Sequence, residues 1–143
     1  MAVLAVNQSG VPIKLSVLKD LADHVIREEQ VLDAEISIAL VDASEMAEMN
    51  KKFRSIDKPT DVLAFDLKDS ETISGEVVIS PQVAYENCEN GKTGSNEIKI
   101  LLVHGILHLL GYDHASDEGS KQMFSRQEQL VATFDDQGCA ESL

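Results

Sequence analysis

Apolar and polar residues alternate along this chain with two different periods, and the switches between them mark the elements. Val3 to Val6 predicts a short strand. Asn7 to Pro12, with its Asn, Ser, Gly and Pro, predicts a turn. From Lys14 to Glu29 the apolar residues are Leu15, Leu18, Leu21, Ala22, Val25 and Ile26, the spacing of a helix with one buried face. Glu35 to Val41 puts Ile36, Ile38 and Leu40 on one side of a strand. Asp42 or Ser44 is placed to cap a following helix, running to about Arg54 with Met46, Met49 and Phe53 as its apolar stripe. Lys58-Pro59 ends it, since proline disfavours helix at the residue before it. Asp61 to Leu67 and Glu76 to Ser80 are two further strands, with the polar stretch between them, Gly75 included, as a hairpin loop. Pro81 opens a helix to about Cys88, and Glu89 to Gly94 is a loop. Ser95 opens a long helix that is apolar over a wide arc (Ile98, Leu101, Leu102, Ile106, Leu109, Leu110), hence central and largely buried. Glu86 and Glu97 are acids of the kind that favour helix N-termini. Gly111 stands where a terminating glycine would end the long helix. A last helix spans Ser116 to Phe134, capped by Ser116 or Asp117, and a frayed tail covers about 135–143. No repeat, linker or low-complexity segment interrupts this order.

At 143 residues the chain is expected to be one domain, 1–143, with a real core. Four in ten residues are apolar and there is no Trp, so aliphatic side chains must do most of the packing. A formal net charge of -13 argues against a broad nucleic-acid-binding face, though not against a small basic site. Cys88 and Cys139 do not form a disulfide framework, which favours a reducing, cytoplasmic setting. The opening MAVLAVNQSG lacks a basic n-region and does not read as a signal peptide. No apolar run approaches the length of a membrane span.

Three of the four histidines fall within HGILHLLGYDH, His104 to His114. His104 and His108 are four apart, so on a helix they point the same way. Gly111 lets the chain turn, and His114 can fold back toward them. Three neutral imidazoles make an open metal site with a position left for water. Such ligation suits zinc, and also nickel, copper or iron. The plain alternative is a set of core histidines; His24, alone on an amphipathic helix, reads as ordinary surface or core edge. The spacing also matches the zinc-protease pattern H-E-x-x-H-x-x-G-x-x-H, except that Gly105 occupies the place of the general-base glutamate. Asp113 could act as a base or orient a ligand, and Tyr112 could pack or donate a proton.

Asn50 to Phe65 holds a second unusual run. Lys51, Lys52, Arg54 and Lys58 form a basic island in an acidic chain. Lysines and arginines also favour the negative end of a helix dipole, which is the structural alternative. Arg54, at the helix exit beside Phe53, which reads as buried, is placed to offer a bidentate fork to a phosphate. Asp57, Thr60 and Asp61 read as turn and cap residues. A metal with an activated water, plus a guanidinium for an anion, describes a phosphodiester hydrolase.

HGILHLLGYDH, with N-x-x-F-R-x-x-D-K-P-T-D-V-L-A-F before it and G-E-V-V-I-S between, resembles the YbeY family of metal-dependent endoribonucleases, also called rRNA maturation factors. The likeness runs from about Glu35 to Phe134 in the same order. It implies a single compact α+β domain: a small mixed sheet of about four strands packed with about five helices, the metal site on the central helix. It implies single-strand-specific RNA cleavage linked to 16S rRNA 3′-end maturation, small-subunit assembly and ribosome quality control. The family's zinc ligands fall on His104, His108 and His114, for one Zn2+ ion completed by water, and its functional arginine on Arg54. Lys51, Lys52 and Lys58 are the candidate RNA contacts. Single-stranded RNA, the 16S rRNA precursor, small-subunit ribosomal proteins and an Era-type GTPase are the implied partners, with no membrane. Two departures stand out: the family's V-L-S-F-P is Val62-Leu63-Ala64-Phe65-Asp66 here, and its G-D-I is Gly75-Glu76-Val77. Two other functions compete: a zinc hydrolase of another class, which Gly105 opposes if it is a peptidase, and a non-enzymatic ribosome assembly factor with a structural metal.

Overall fold

The computed structural model describes residues 2–31, 33–54, 60–67, 72–88, 94–113 and 115–135, the side chains of 54 and 95 excepted. Nine elements follow in order: β1 (Ala2–Asn7), α1 (Leu15–Glu28), β2 (Ala34–Leu40), α2 (Ala43–Arg54), β3 (Val62–Asp66), β4 (Ile73–Ile79), α3 (Pro81–Glu86), α4 (Gly94–Leu109) and α5 (Asp117–Phe134). The strands form one mixed sheet in the order β1-β2-β4-β3. β1, β2 and β4 run parallel, and β3 is antiparallel to β4 at the edge. This is the expected α+β domain. None of the described helices is long and apolar enough to cross a membrane.

Strand alternation sends successive side chains to opposite faces of the sheet. Ile36, Ile38, Leu40, Val77 and Ile79 face the larger core, which α1, α4 and α5 complete with residues such as Leu18, Leu21, Leu102, Ile106, Leu107 and Leu130. Val78 and Leu63 face the other way, onto Val41 and Met46, with Met49 and Phe65 packed beside them. The sheet is therefore a divider, with α4 on one face and α2 on the other. The β1 end of the second face is bare: Leu4 and Val6 are exposed there.

The caps explain the boundaries. The Glu45 N–H donates to the Asp42 carboxylate at 2.8 Å, so Asp42 caps α2. The Gly119 N–H donates to Ser116 Oγ at 3.0 Å, so Ser116 caps α5. Pro81 is the first residue of α3, where its missing N–H costs nothing. Glu86 closes α3 rather than lying near an N-terminus, because that helix is only six residues long. α4 ends in a double hydrogen bond: Gly111 N–H to the His108 carbonyl at 3.1 Å, and Tyr112 N–H to the Leu107 carbonyl at 3.0 Å. Gly111 has φ +102°, the left-handed conformation this ending requires.

One boundary moves for a packing reason. Gly75 is not in the hairpin loop; β4 begins at Ile73, and Gly75 pairs with Asp66 and Ile36 inside the sheet. A Cβ on Gly75 would lie 2.6 Å from both methyls of Leu109 and 2.9 Å from the Phe65 carbonyl oxygen. A residue that looks like turn chemistry in the sequence is a notch that admits the last turn of α4. The Lys58-Pro59 helix end and residues 55–59, 68–71, 89–93 and 136–143, Cys139 among them, lie outside the described residues.

His24, the lone histidine, is a core residue at 2% exposure, bonded through Nε2 to Thr133 Oγ1 at 2.9 Å. Lys99 is also buried and pairs with Asp135 at 3.3 Å, fastening α4 to the end of α5. The Cys88 thiol donates to the Ala84 carbonyl. Glu29 accepts from Tyr112 Oη at 2.9 Å and from Arg126, tying the end of α1 to the turn after α4 and to α5. Burial first, then that bond to Glu29, raises the Tyr112 phenol above its ordinary value.

Two predictions follow from this packing. Gly75→Ala should lower stability by about 1–3 kcal/mol through overpacking, read as a lower urea midpoint at unchanged slope. An unchanged midpoint would mean that the notch is not tight. Because the folded Tyr112 pKa is raised, its share of stability is complete below about pH 10 and fades as pH climbs through the folded value. Tyr112→Phe should cost about 1 kcal/mol at neutral pH and flatten that alkaline decline in thermal melts.

Candidate active site

The central helix and the edge strand open a cleft of about 550 Å³ lined by Thr60, Val62, Leu63, Ala64, Asp66, His104, Gly105, His108 and Leu109. α4 supplies both imidazoles one turn apart. Their ring centroids are 5.5 Å apart with perpendicular planes. His104 is half-buried and His108 exposed, so the pair spans the cleft from its wall to its mouth.

A residue that sequence reasoning missed holds His104. Its Nδ1 lies 3.0 Å from Oε1 of Gln127 on α5. Gln127 is only 5% exposed. An amide oxygen can only accept, so Nδ1 carries the proton and the ring's lone pair sits on Nε2. The signal was present in the sequence: Met123, Gln127, Leu130, Val131 and Phe134 are the buried stripe of α5, and Gln127 is its one polar member. A polar residue at a core position needs a partner.

Gly105 also acquires a physical meaning. A Cβ there would stand 2.7 Å from Val77 Cγ1. The position that carries the general base in the zinc-protease pattern lines the cleft here, but it is pressed against β4, and a side chain at 105 would push α4 off that strand. Asp113 accepts from the Ala115 N–H at 2.9 Å and serves the turn. Tyr112 is spoken for by Glu29.

The predicted residues thus come together in part. His104 and His108 share the cleft; His114 lies outside the described residues. Among the described residues no three of His, Cys, Asp and Glu gather around one point. Asp66, although it lines the cleft, is not a third member. Two imidazoles bound through one nitrogen each to a tetrahedral ion at about 2.0–2.1 Å would hold their ring centres roughly 5 Å apart. The observed 5.5 Å fits such an ion closely. Arg54 is the last residue of α2, its side chain outside the described set, and Lys58 lies outside it altogether. Lys51 and Lys52 are exposed on α2, across the sheet from α4, and do not line the cleft. Thr60 lines it. Phe53 corrects an expectation: it is 56% exposed, for Met46 and Met49 take the sheet face while Phe53 lies against the Phe65 ring of the edge strand.

The mixed four-stranded sheet with its packed helices is a fold similar to that of the solution structure of TM1509 from Thermotoga maritima. The two superpose with a TM-score of 0.67 at 31% identity, over 99% of this chain and 97% of that one. The sequence profile of the family described as Endoribonuclease YbeY matches residues 4–135. Relatives named Endoribonuclease YbeY include those of Thermobifida fusca, 40% identical over 92% of this chain and 93% of its own, and Micrococcus luteus, 36% identical over 92% and 91%. The chain belongs to the endoribonuclease YbeY family.

Gln127→Leu should release the His104 tautomer. In nitrogen-15 imidazole spectra, wild type and Gln127→Glu should show the Nδ1–H form, and Gln127→Leu a mixture with the Nε2–H form. Identical spectra for all three would show that the amide does not set the proton's place.

Proposed function

We propose that this chain is a divalent-metal-dependent, single-strand-specific endoribonuclease of the cytoplasm, acting in 16S rRNA 3′-end maturation, small-subunit assembly and ribosome quality control. The observation that carries this reading is a pair of imidazoles on one cleft, one of them anchored by a buried amide, in a member of this family. In this reading His114 follows the Gly111 turn and joins His104 and His108 as the third ligand of one zinc ion, with room left for water. Bound there, the ion supplies a Lewis acid for a phosphoryl oxygen and a water acidic enough to react near neutral pH.

The rest is work for the chain's own residues. Gln127 keeps the His104 proton on Nδ1 and so presents Nε2 as the donor; support of this kind is worth about 10–100-fold in metal affinity. Arg54 steadies negative charge developing on the phosphate. Lys51, Lys52 and Lys58 meet flanking phosphates. With so few cations in an acidic chain, affinity for free RNA is low and falls steeply with salt. Small-subunit ribosomal proteins and an Era-type GTPase, partners implied by the family resemblance, would then supply the missing affinity.

The test is cleavage of a single-stranded RNA carrying the 16S 3′ precursor sequence, with Arg54→Ala and His114→Ala purified identically. Both variants, and wild type in chelator, should lose cleavage, Arg54→Ala by about a hundredfold or more. Equal cleavage by all preparations would be contaminating nuclease and would remove support for the reading. No cleavage by clean wild type would favour an assembly factor without nuclease activity.

A further inference from the structure

We propose that Phe53 is a stacking platform for one unpaired base of the bound strand, on the far side of β3 from the cleft; this rests on the endoribonuclease reading and names a subsite within it. The ring is 56% exposed. It packs against the Phe65 ring in an edge-to-face pair, 5.1 Å between centroids and 66° between planes. Lys52 Nζ lies 5.3 Å from its centroid. Leu67, just past the end of β3, is a further exposed apolar residue at 58%.

Other exposed large apolar residues lack this setting. Leu4 and Val6 are aliphatic, and Phe124 sits among Asp117, Lys121 and Glu128. Phe53 alone of the exposed aromatics described lies inside the basic run. An exposed aromatic ring with a lysine ammonium beside it, in a chain of net charge -13, suits a ligand with a π face and a negative charge next to it. A nucleotide within a single strand is such a ligand. A base arriving on the ring sends the Lys52 ammonium to the neighbouring phosphate, exchanging a cation–π contact for an ion pair.

The position matters as much as the chemistry. Phe65 belongs to β3, and the residues that alternate with it, Ala64 and Asp66, line the cleft. β3 is the edge strand, so a strand of RNA lying across that edge touches the histidines on one side and Phe53 on the other. Bases in a duplex are already stacked on each other and cannot use the platform. Preference for single strands then arises here without any reading of sequence.

The probe is a nuclease-resistant 2′-O-methyl RNA octamer, single-stranded or annealed to its complement, at low salt, with the full chain. Phe53→Ala should bind the single strand about tenfold more weakly than wild type, while Phe53→Tyr binds as wild type does. Phe124→Ala should match wild type, and duplex binding should not respond to residue 53. Tryptophan fluorescence of Phe53→Trp should be quenched by the single strand. Thermal melts confirm that the variants are folded. The proposal is overturned if Phe53→Ala binds the strand as tightly as wild type, or loses strand and duplex alike. It is overturned too if wild type binds no strand, which leaves the exposed ring to a protein partner. Cleavage by wild type separates the two readings: persistent cleavage with no effect at residue 53 sinks the platform alone. Residue-dependent binding without cleavage sinks the nuclease reading alone.

Discussion

The seat of α4 on β4 is the constraint on which the rest depends. Two glycines, one on each element, let the helix and the strand approach: Gly105 meets Val77, and Gly75 receives Leu109. That contact fixes not only how close the helix lies but how it is rotated about its own axis. With about 100° per residue, turning residue 105 to the sheet places 104 and 108 roughly 60–100° round the helix on one common side. On that side lies β3, and the cleft follows. A helix held by larger side chains would stand off and could roll, and the imidazoles would roll with it. The site is therefore a property of backbone proximity before it is a property of histidines.

α5 secures the arrangement from behind. Its apolar stripe packs on the core, and its one buried polar residue reaches His104. Lys99 with Asp135 holds one end of the α4–α5 contact, and Arg126 with Glu29 and Tyr112 holds the other. Tyr112 is also the residue whose N–H closes the end of α4. The turn that follows the second histidine is thus fastened by both backbone and side chain, to α4 and to α1.

Much of this was legible in the sequence because it depends on local rules. Amphipathic spacing marked α1 and α5, alternation marked β2, and Asp42, Ser116, Pro81 and Gly111 marked where helices begin or end, all within a residue or two. The histidine spacing was legible for the same reason, since residues four apart share a helix face whatever surrounds them. What was not legible depends on contacts between distant segments. Gly75 looks like a turn until Leu109 is seen to need its space. Phe53 continues the stripe of Met46 and Met49, yet it meets only the edge strand of the sheet, at Phe65, and stays exposed, and no local pattern says how wide a sheet is. Gln127 was readable in principle as a polar intruder in an apolar stripe, but its partner lies 23 positions away on another helix.

The bare outer strand has a colloidal consequence. β1 lies at the sheet's margin and shows Leu4 and Val6 to solvent, with no lysine or proline of its own to blunt it. Such a margin invites a second molecule to add its own strand. Against this stands long-range repulsion between copies that each carry a net charge of -13. That protection is adjustable by the solvent. Salt shortens its range to about 10 Å at 0.1 M, and acid removes the charge itself as the carboxylates protonate near pH 4. The tendency of this margin to pair is thus set by salt and acid in the surroundings as much as by the strand's own residues.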